Sequence, residues 1–300
     1  MTYEVNSKLE IIIITYNRSK CLEKTLLSIF GSEFSCFKVT VLNNNSTDNT
    51  IEICEKFETK YSNFSAITNK VNIGANANVM KAFEISNGIY SWIICDDDEF
   101  DFSNAKDILE VLIEERVDLI HMGAHEIEEW SPSGVFMTPK DLMKNGYKYF
   151  LYGSFLPCNL FRTTSFYPTI IGAYDNIPNM YPHMPFVFDF FLNDKIIYVS
   201  KTRIVKATMS GQSYNYIKWF EAWTNTCLLL PKEYRRLAFY DQFFNTTNFQ
   251  LMKNFALLLS KQENSWIFIM KLFSILNGFD RLSLLIFLPI AKIYRIFKNK

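Results

Sequence analysis

Short apolar runs rich in β-branched residues recur through the first 125 positions, and each leads into a polar cluster and then a helix-like stretch. Residues 9–14, 37–42, 64–68, 90–95 and 119–122 read as buried strands. Between them, Leu22, Leu26, Ile29 and Phe30 fall on one helical face, with Ser19 placed as an N-cap. Ile51, Cys54 and Phe57 form the inner side of a helix over 48–60. A third helix over 75–86 stops at Asn87-Gly88, and a fourth spans 105–116. Strand–helix alternation with short links predicts an α/β fold: a mostly parallel sheet with helices on both faces. Ligands of such sheets bind beyond the carboxyl ends of the strands. Three polar clusters fall at such ends: Thr15-Tyr16-Asn17-Arg18, residues 43–48, and Asp96-Asp97-Asp98.

The triple aspartate carries the most chemistry. Adjacent carboxylates at the end of an apolar strand repel one another and are partly desolvated. A hard divalent cation removes that cost, because Mg²⁺ or Mn²⁺ takes oxygen ligands. In an extended segment Asp96 and Asp98 share one side.

Whole-chain composition narrows the partners. The 300 residues hold 31 basic and 31 acidic side chains, which excludes a general nucleic-acid binder. The balance hides a split, since the last 100 residues carry 15 basic and 5 acidic side chains. The six cysteines form no C-x-x-C pair and read as reduced thiols of a cytoplasmic protein. The first residues lack the basic-then-apolar layout of a secretory signal.

Residues 11–18 (Ile-Ile-Ile-Ile-Thr-Tyr-Asn-Arg) resemble the opening strand and turn of family 2 glycosyltransferases, which adopt the GT-A fold. Residues 41–48 resemble that family's second motif, with Asn43 in place of its usual first acid. Residues 72–78 resemble its N-x-G-x-x-x-N motif, and 82–98 its approach to the metal site. Four motifs in order cover roughly residues 8–125. The resemblance implies an inverting, cation-dependent hexosyltransferase acting from a nucleotide-sugar donor, a UDP-sugar as first expectation. Thr15, Tyr16, Arg18, Asn44, Asn72, Gly74, Asn78, Asp96 and Asp97 would bind that donor, with Asn44 facing the base. Asp96 and Asp98 would hold Mn²⁺ or Mg²⁺, with His183 as a further ligand.

The family's base is an Asp about 90 residues after the metal motif. Asp189 stands there in an apolar run that would raise its proton affinity, with Asp175 as runner-up. Residues 211–219 resemble the family's acceptor-side motif, which places Lys218 and Trp219 on that side.

The organisation expected is a catalytic GT-A domain over 1–205 and a helical, aromatic, basic region over 206–300. From Arg281 onward there are five basic residues and no acid, and the longest charge-free stretch is the 10 residues 282–291. A spanning helix needs about 20. This is the profile of an interfacial helix on an anionic membrane surface. The acceptor expected is therefore a glycan or lipid-linked sugar of bacterial-type surface polysaccharide or glycoconjugate synthesis, at the inner face of the membrane. The competing reading is a non-catalytic GT-A-like module that binds nucleotide or glycan, or serves as a partner subunit.

Overall fold

The computed structural model describes residues 7–125, 131–206, 216–243, 247–260 and 266–298. The chain forms two compact units, one of residues 1–178 with 182–212 and the other of 179–181 with 213–300.

The first unit is built on β1 (Leu9–Thr15), β2 (Lys38–Asn43), β3 (Phe64–Thr68), β4 (Tyr90–Cys95), β5 (Glu99–Phe100), β6 (Leu119–Ala124), β7 (Val135–Met137), β8 (Asn159–Arg162) and β9 (Ile197–Lys206). Among the described residues these form one sheet in the order β3-β2-β1-β4-β8-β6-β9-β5, with β7 beside β9. Strands β3, β2, β1 and β4 are parallel, whereas β8 is antiparallel to both β4 and β6. The mostly parallel α/β sheet expected is thus present, with an antiparallel strand, β8, beyond the 125 residues in which the alternation is read. Order reverses at β1, with β2 on one side and β4 on the other, which opens a crevice at their carboxyl ends.

Helices α1 (Ser19–Phe30), α2 (Thr50–Lys60), α3 (Ala75–Ile85) and α4 (Lys106–Glu114) follow the strands. Leu22, Leu26, Ile29, Cys54, Phe57, Ile108 and Leu112 bury one face of the sheet together with Trp92 and Ile94. The indole N–H of Trp92, inside that core, donates to the Pro157 carbonyl at 2.8 Å. Short helices α5 (Pro139–Lys144), α6 (Tyr149–Ser154), α7 (Thr163–Phe166) and α8 (Ile170–Asp175) precede α9 (Met184–Leu192). The opposite face is aromatic: Phe83 of α3 meets Phe161, Phe166 and Phe186 edge-on, with ring centroids 5.0–5.4 Å apart.

Two local expectations give way to tertiary contacts. Ser19 makes no side-chain cap; its N–H donates instead to Asp48 Oδ2 at 2.9 Å. The other oxygen of Asp48 accepts from Thr50 at the start of α2, so one carboxylate caps two helices. Gly88 does not end α3 either. A Cβ there would meet the Glu10 nitrogen and the Tyr90 oxygen at 2.6 Å, so glycine is needed where the chain crosses β1.

The second unit consists of α10 (Tyr216–Cys227), α11 (Lys232–Asp241), α12 (Asn248–Leu259), α13 (Trp266–Ile275) and α14 (Gly278–Lys298). Phe220 and Phe255 stack within it, ring centroids 3.9 Å apart, and Phe239 meets Phe255 edge-on at 5.7 Å. Among the described residues no helix is long and apolar enough to cross a membrane.

Candidate functional site

Buried parallel strands must deliver their last residues to the sheet edge, because each backbone group inside the sheet is already paired. Thr15 ends β1, Asn43 ends β2, and Asp96 follows β4. A cavity of about 440 Å³ opens there, lined by Thr15, Tyr16, Arg18, Asn44, Asn72, Gly74, Asn78, Asp96 and Asp97, with Ile14, Ala75 and Cys95 between them. All nine residues assigned to the donor on sequence lie in this one lining. Its size suits a small polar ligand.

Asparagines build one wall. Asn44 Oδ1 accepts from Asn69 Nδ2 and from the Ile73 N–H, each at 3.0 Å, and its Nδ2 donates to Asn72 Oδ1 at 2.8 Å. Asn69 also donates to Asn78 Oδ1 at 2.8 Å, and Asn78 Nδ2 reaches the Leu42 carbonyl at 3.3 Å. Asn43, which replaces the family's usual acid, accepts from the Ser46 N–H at 3.0 Å and donates to Thr68. The amide of Asn44 is therefore committed to the scaffold: it clamps the turn after β2 to the 69–74 loop, where the sequence reading had it face a base. Gly74 adopts φ +86°, a conformation that favours glycine, directly before α3.

The acidic wall is charged and only partly neutralised. Thr15 Oγ1 donates to Asp96 Oδ2 at 2.5 Å. Arg18 lies 3.3 Å from Asp96 and 2.6 Å from Asp97. Burial raises the Asp96 carboxyl to a pKa of about 6, although the Thr15 hydroxyl and Arg18 pull it down. A desolvated carboxyl poised this way gains from a further positive charge. The donor set, all carboxylate oxygens from one turn, suits a hard cation. Among the described residues no three Asp, Glu, His or Cys side chains converge on one point, so an ion held here would draw on oxygens of a ligand as well.

The remaining assignments fare differently. Asp98 is half-buried in the same turn but is not in the cavity lining. Asp189, expected to be the base, is not among the residues that line the cavity. Its Oδ1 accepts from Asn193 at 2.8 Å, and its electrostatic neighbours are Lys195 and Asp118. The Asp118 carbonyl accepts from Arg162, the register partner of Tyr90. Asp118 is thus level with Tyr90, six residues before Asp96, about 20 Å away along the strands. Burial does raise the Asp189 carboxyl, as the apolar run suggested, but far from the cavity.

His183, at the other end of the same helix, was expected as a cation ligand. It is buried, and its Nε2 donates to the Gly153 carbonyl at 3.0 Å. Burial lowers its pKa to about 4, so it is a neutral ring packed into the fold and not a ligand on the cavity wall. Asp175 ends α8 and is exposed. Two residues on, the Ile177 carbonyl accepts from Asn76 Nδ2 at 2.7 Å, which fastens this turn to the first turn of α3 beside the cavity. Lys218 and Trp219 belong to α10 of the second unit, where Lys218 is exposed and Trp219 meets Phe243 edge-on at 5.6 Å. Residues 211–215 of that motif lie outside the described residues.

Comparison with known proteins places this geometry. Residues 10–167 match the model of glycosyl transferase family 2. An uncharacterized glycosyltransferase of Mycoplasma pneumoniae, the MG025 homolog, is 33% identical over 93 residues, 30% of this chain and 31% of its own. The uncharacterized glycosyltransferase YibD of Escherichia coli is 23% identical over 118 residues, 39% of this chain and 34% of its own. The matched region thus spans about a third of the length of these curated relatives.

Among solved structures, S. aureus TarS residues 1–349 in complex with UDP-GlcNAc superposes with a TM-score of 0.66 at 18% identity, covering 96% of this chain and 91% of that one. The mannosyltransferase PcManGT of Pyrobaculum calidifontis, with GDP-Man and Mn²⁺, gives a TM-score of 0.55 at 10% identity, covering 98% and 88%. These likenesses identify the fold as GT-A. With four sequence motifs gathered at one sheet edge and the family model matched across them, the chain belongs to glycosyl transferase family 2.

Proposed function

We propose that this protein is an inverting glycosyltransferase that moves a sugar from a nucleotide-sugar donor, a UDP-sugar first, to a hydroxyl of a glycan or lipid-linked acceptor. It would act at the inner face of a membrane in surface polysaccharide or glycoconjugate synthesis. The observation that carries the reading is the single cavity in which all nine donor-side residues meet a desolvated carboxyl beside Arg18. A transferase must handle the negative charge of a departing diphosphate, and Arg18 with a cation on the aspartates would supply the positive charge for it.

Mn²⁺ or Mg²⁺ held by Asp96 and Asp98 would act as a Lewis acid on the departing diphosphate. Around it, Arg18 supplies fixed positive charge, and Thr15 holds Asp96 in one orientation through its 2.5 Å hydrogen bond. The asparagine clamp at Asn44, Asn69 and Asn72 keeps the cavity wall rigid. For inversion the acceptor hydroxyl attacks the anomeric carbon from the face opposite the leaving group, and a base takes its proton. We assign that base to Asp175 in place of Asp189, because the turn after α8 is tied to the cavity side of α3.

The test is a panel of sugar nucleotides screened by thermal shift with and without Mn²⁺, since a ligand bound only to the native state raises the melting temperature. Turnover of the stabilising donor is then compared in three variants. Asp175→Asn should lower kcat by about 10² or more with donor binding little changed, while Asp189→Asn stays within about twofold. If His183→Gln is dead and Asp175→Asn active, the proton goes to the amino end of α9 instead. No stabilisation by any donor would overturn the transferase reading.

A further inference from the structure

Helix α14 is apolar on both sides. Its inner side, Asp280, Ser283, Leu284, Leu288 and Ala291, is buried at the 3–4 spacing of one helical stripe. A helix with one packed face should turn polar residues to water. Instead Phe279, Leu282, Ile286, Ile290 and Ile293 make a second stripe, each 53–65% exposed. On α13, Trp266, Ile267 and Met270 are also exposed, each 67–76%. Among the described residues nothing covers this face. A stripe of five large exposed apolar side chains along one helix marks an interaction site.

Charge decides what fits it. The acid on α14, Asp280, is drawn inward, where it accepts from the Tyr240 hydroxyl at 2.6 Å and lies 3.5 Å from Arg236. From Arg281 to the last residue there are five basic side chains and no acid. These basic side chains, with no acid among them, call for counter-charge from outside the helix. An anionic lipid surface supplies that charge and takes up the apolar stripe as well. Exposed Trp266 and Tyr294 are of the type that settles at the headgroup level. The 21 residues of α14 extend about 31 Å, enough to lie along a bilayer surface, and no described helix is apolar enough to span one.

We propose that the outer face of α14 docks in the plane of an anionic membrane, with its apolar stripe in the acyl boundary. The inference names the surface that brings the enzyme to its acceptor, and it rests on the proposed function for that acceptor alone.

The full chain is sedimented with phosphatidylcholine vesicles and with vesicles containing phosphatidylglycerol, at low and high salt. Binding should favour the anionic vesicles and weaken with salt. The triple variant Leu282→Glu/Ile286→Glu/Ile290→Glu changes only exposed positions and should lower the bound fraction at least about tenfold. Lys292→Glu, outside the core, should lower it about fivefold and keeps the test valid if the triple variant misfolds. Equal sedimentation of both variants and the unmodified chain overturns the proposal. So does a chain that ignores vesicles but forms a dimer broken by the triple variant, since the face then belongs to a second copy. Donor-induced thermal stabilisation, measured on the same samples, separates the two readings: docking alone has failed if it persists without vesicle binding, and the transferase reading alone if vesicles bind without it.

Discussion

The two units solve opposite problems with polar and apolar side chains. In the first, a few polar side chains such as Glu10 and Thr40 pair inside the sheet, and a larger set gathers at the strand ends, where they pair with one another. Asn44, Asn69, Asn72 and Asn78 form a closed network, and Asp96 is held by Thr15 and Arg18. In the second, helices pack through Phe220, Phe239 and Phe255, and apolar surface is left over on the outside of α13 and α14. A polar surplus gathered at one point suggests chemistry, and an apolar surplus spread along a helix suggests a partner. Substitutions that act on one surplus and not the other test that division of labour.

The largest effect expected is on chemistry in the first unit. Asp96→Asn removes a charge from the cavity while keeping its volume, so transfer should fall by about 10²–10³. Asp98→Asn should remove most of the donor stabilisation that depends on Mn²⁺ and little of the rest. Initial rates with EDTA and with added Mn²⁺ measure both, and full activity in EDTA would sink the assignment of the cation. Neither change should alter vesicle binding.

A core cavity in the second unit gives the converse case. Leu272 is fully buried in α13, and Leu272→Ala should cost about 2–5 kcal/mol. Urea unfolding should show the helical unit weakened while the donor still stabilises the first unit. If donor binding is lost with it, the units do not divide the work as described.

A smaller loss is expected at the clamp. Asn44→Ala leaves the Asn69 amide, the Ile73 N–H and the Asn72 oxygen short of a partner, at a cost of about 2 kcal/mol. Donor KM should rise more than kcat falls, because the wall loses its rigidity and not a reacting group.

The smallest effect is on pH. The folded pKa of Asp96, about 6, lies above its ordinary value of 3.8. The native state therefore binds this proton more tightly than the unfolded chain does. Its contribution is fully present below about pH 3.8 and is lost as the pH rises through about 6. Melting temperatures of the metal-free protein over that window should decline less steeply in Asp96→Asn. Added Mn²⁺ should offset the decline at neutral pH.

Much of the cavity was legible in sequence because it is assembled from strand ends. A strand end is a local event: Tyr90–Cys95 followed by three aspartates can be read without knowing the neighbours. The base was not legible. Counting residues from the metal motif led to Asp189, but neither Asp189 nor His183 lines the cavity. Spacing alone does not say which turn of a helix faces the site. The capping of α1 escaped for a related reason, since its carboxylate comes from Asp48, 29 residues on.

By itself, then, the sequence determined the alternation of strands and helices, the polar clusters at three strand ends and the basic, apolar character of the last helix. All of these follow from periodicity and chain-local chemistry. Only tertiary structure decided that Asn44 is spent on the scaffold, that His183 is buried as a neutral ring, that Asp189 falls outside the cavity lining, and which stripe of α14 meets solvent. Each of these depends on a partner distant in the chain, and the energy of a contact between distant residues is set by where the fold brings them.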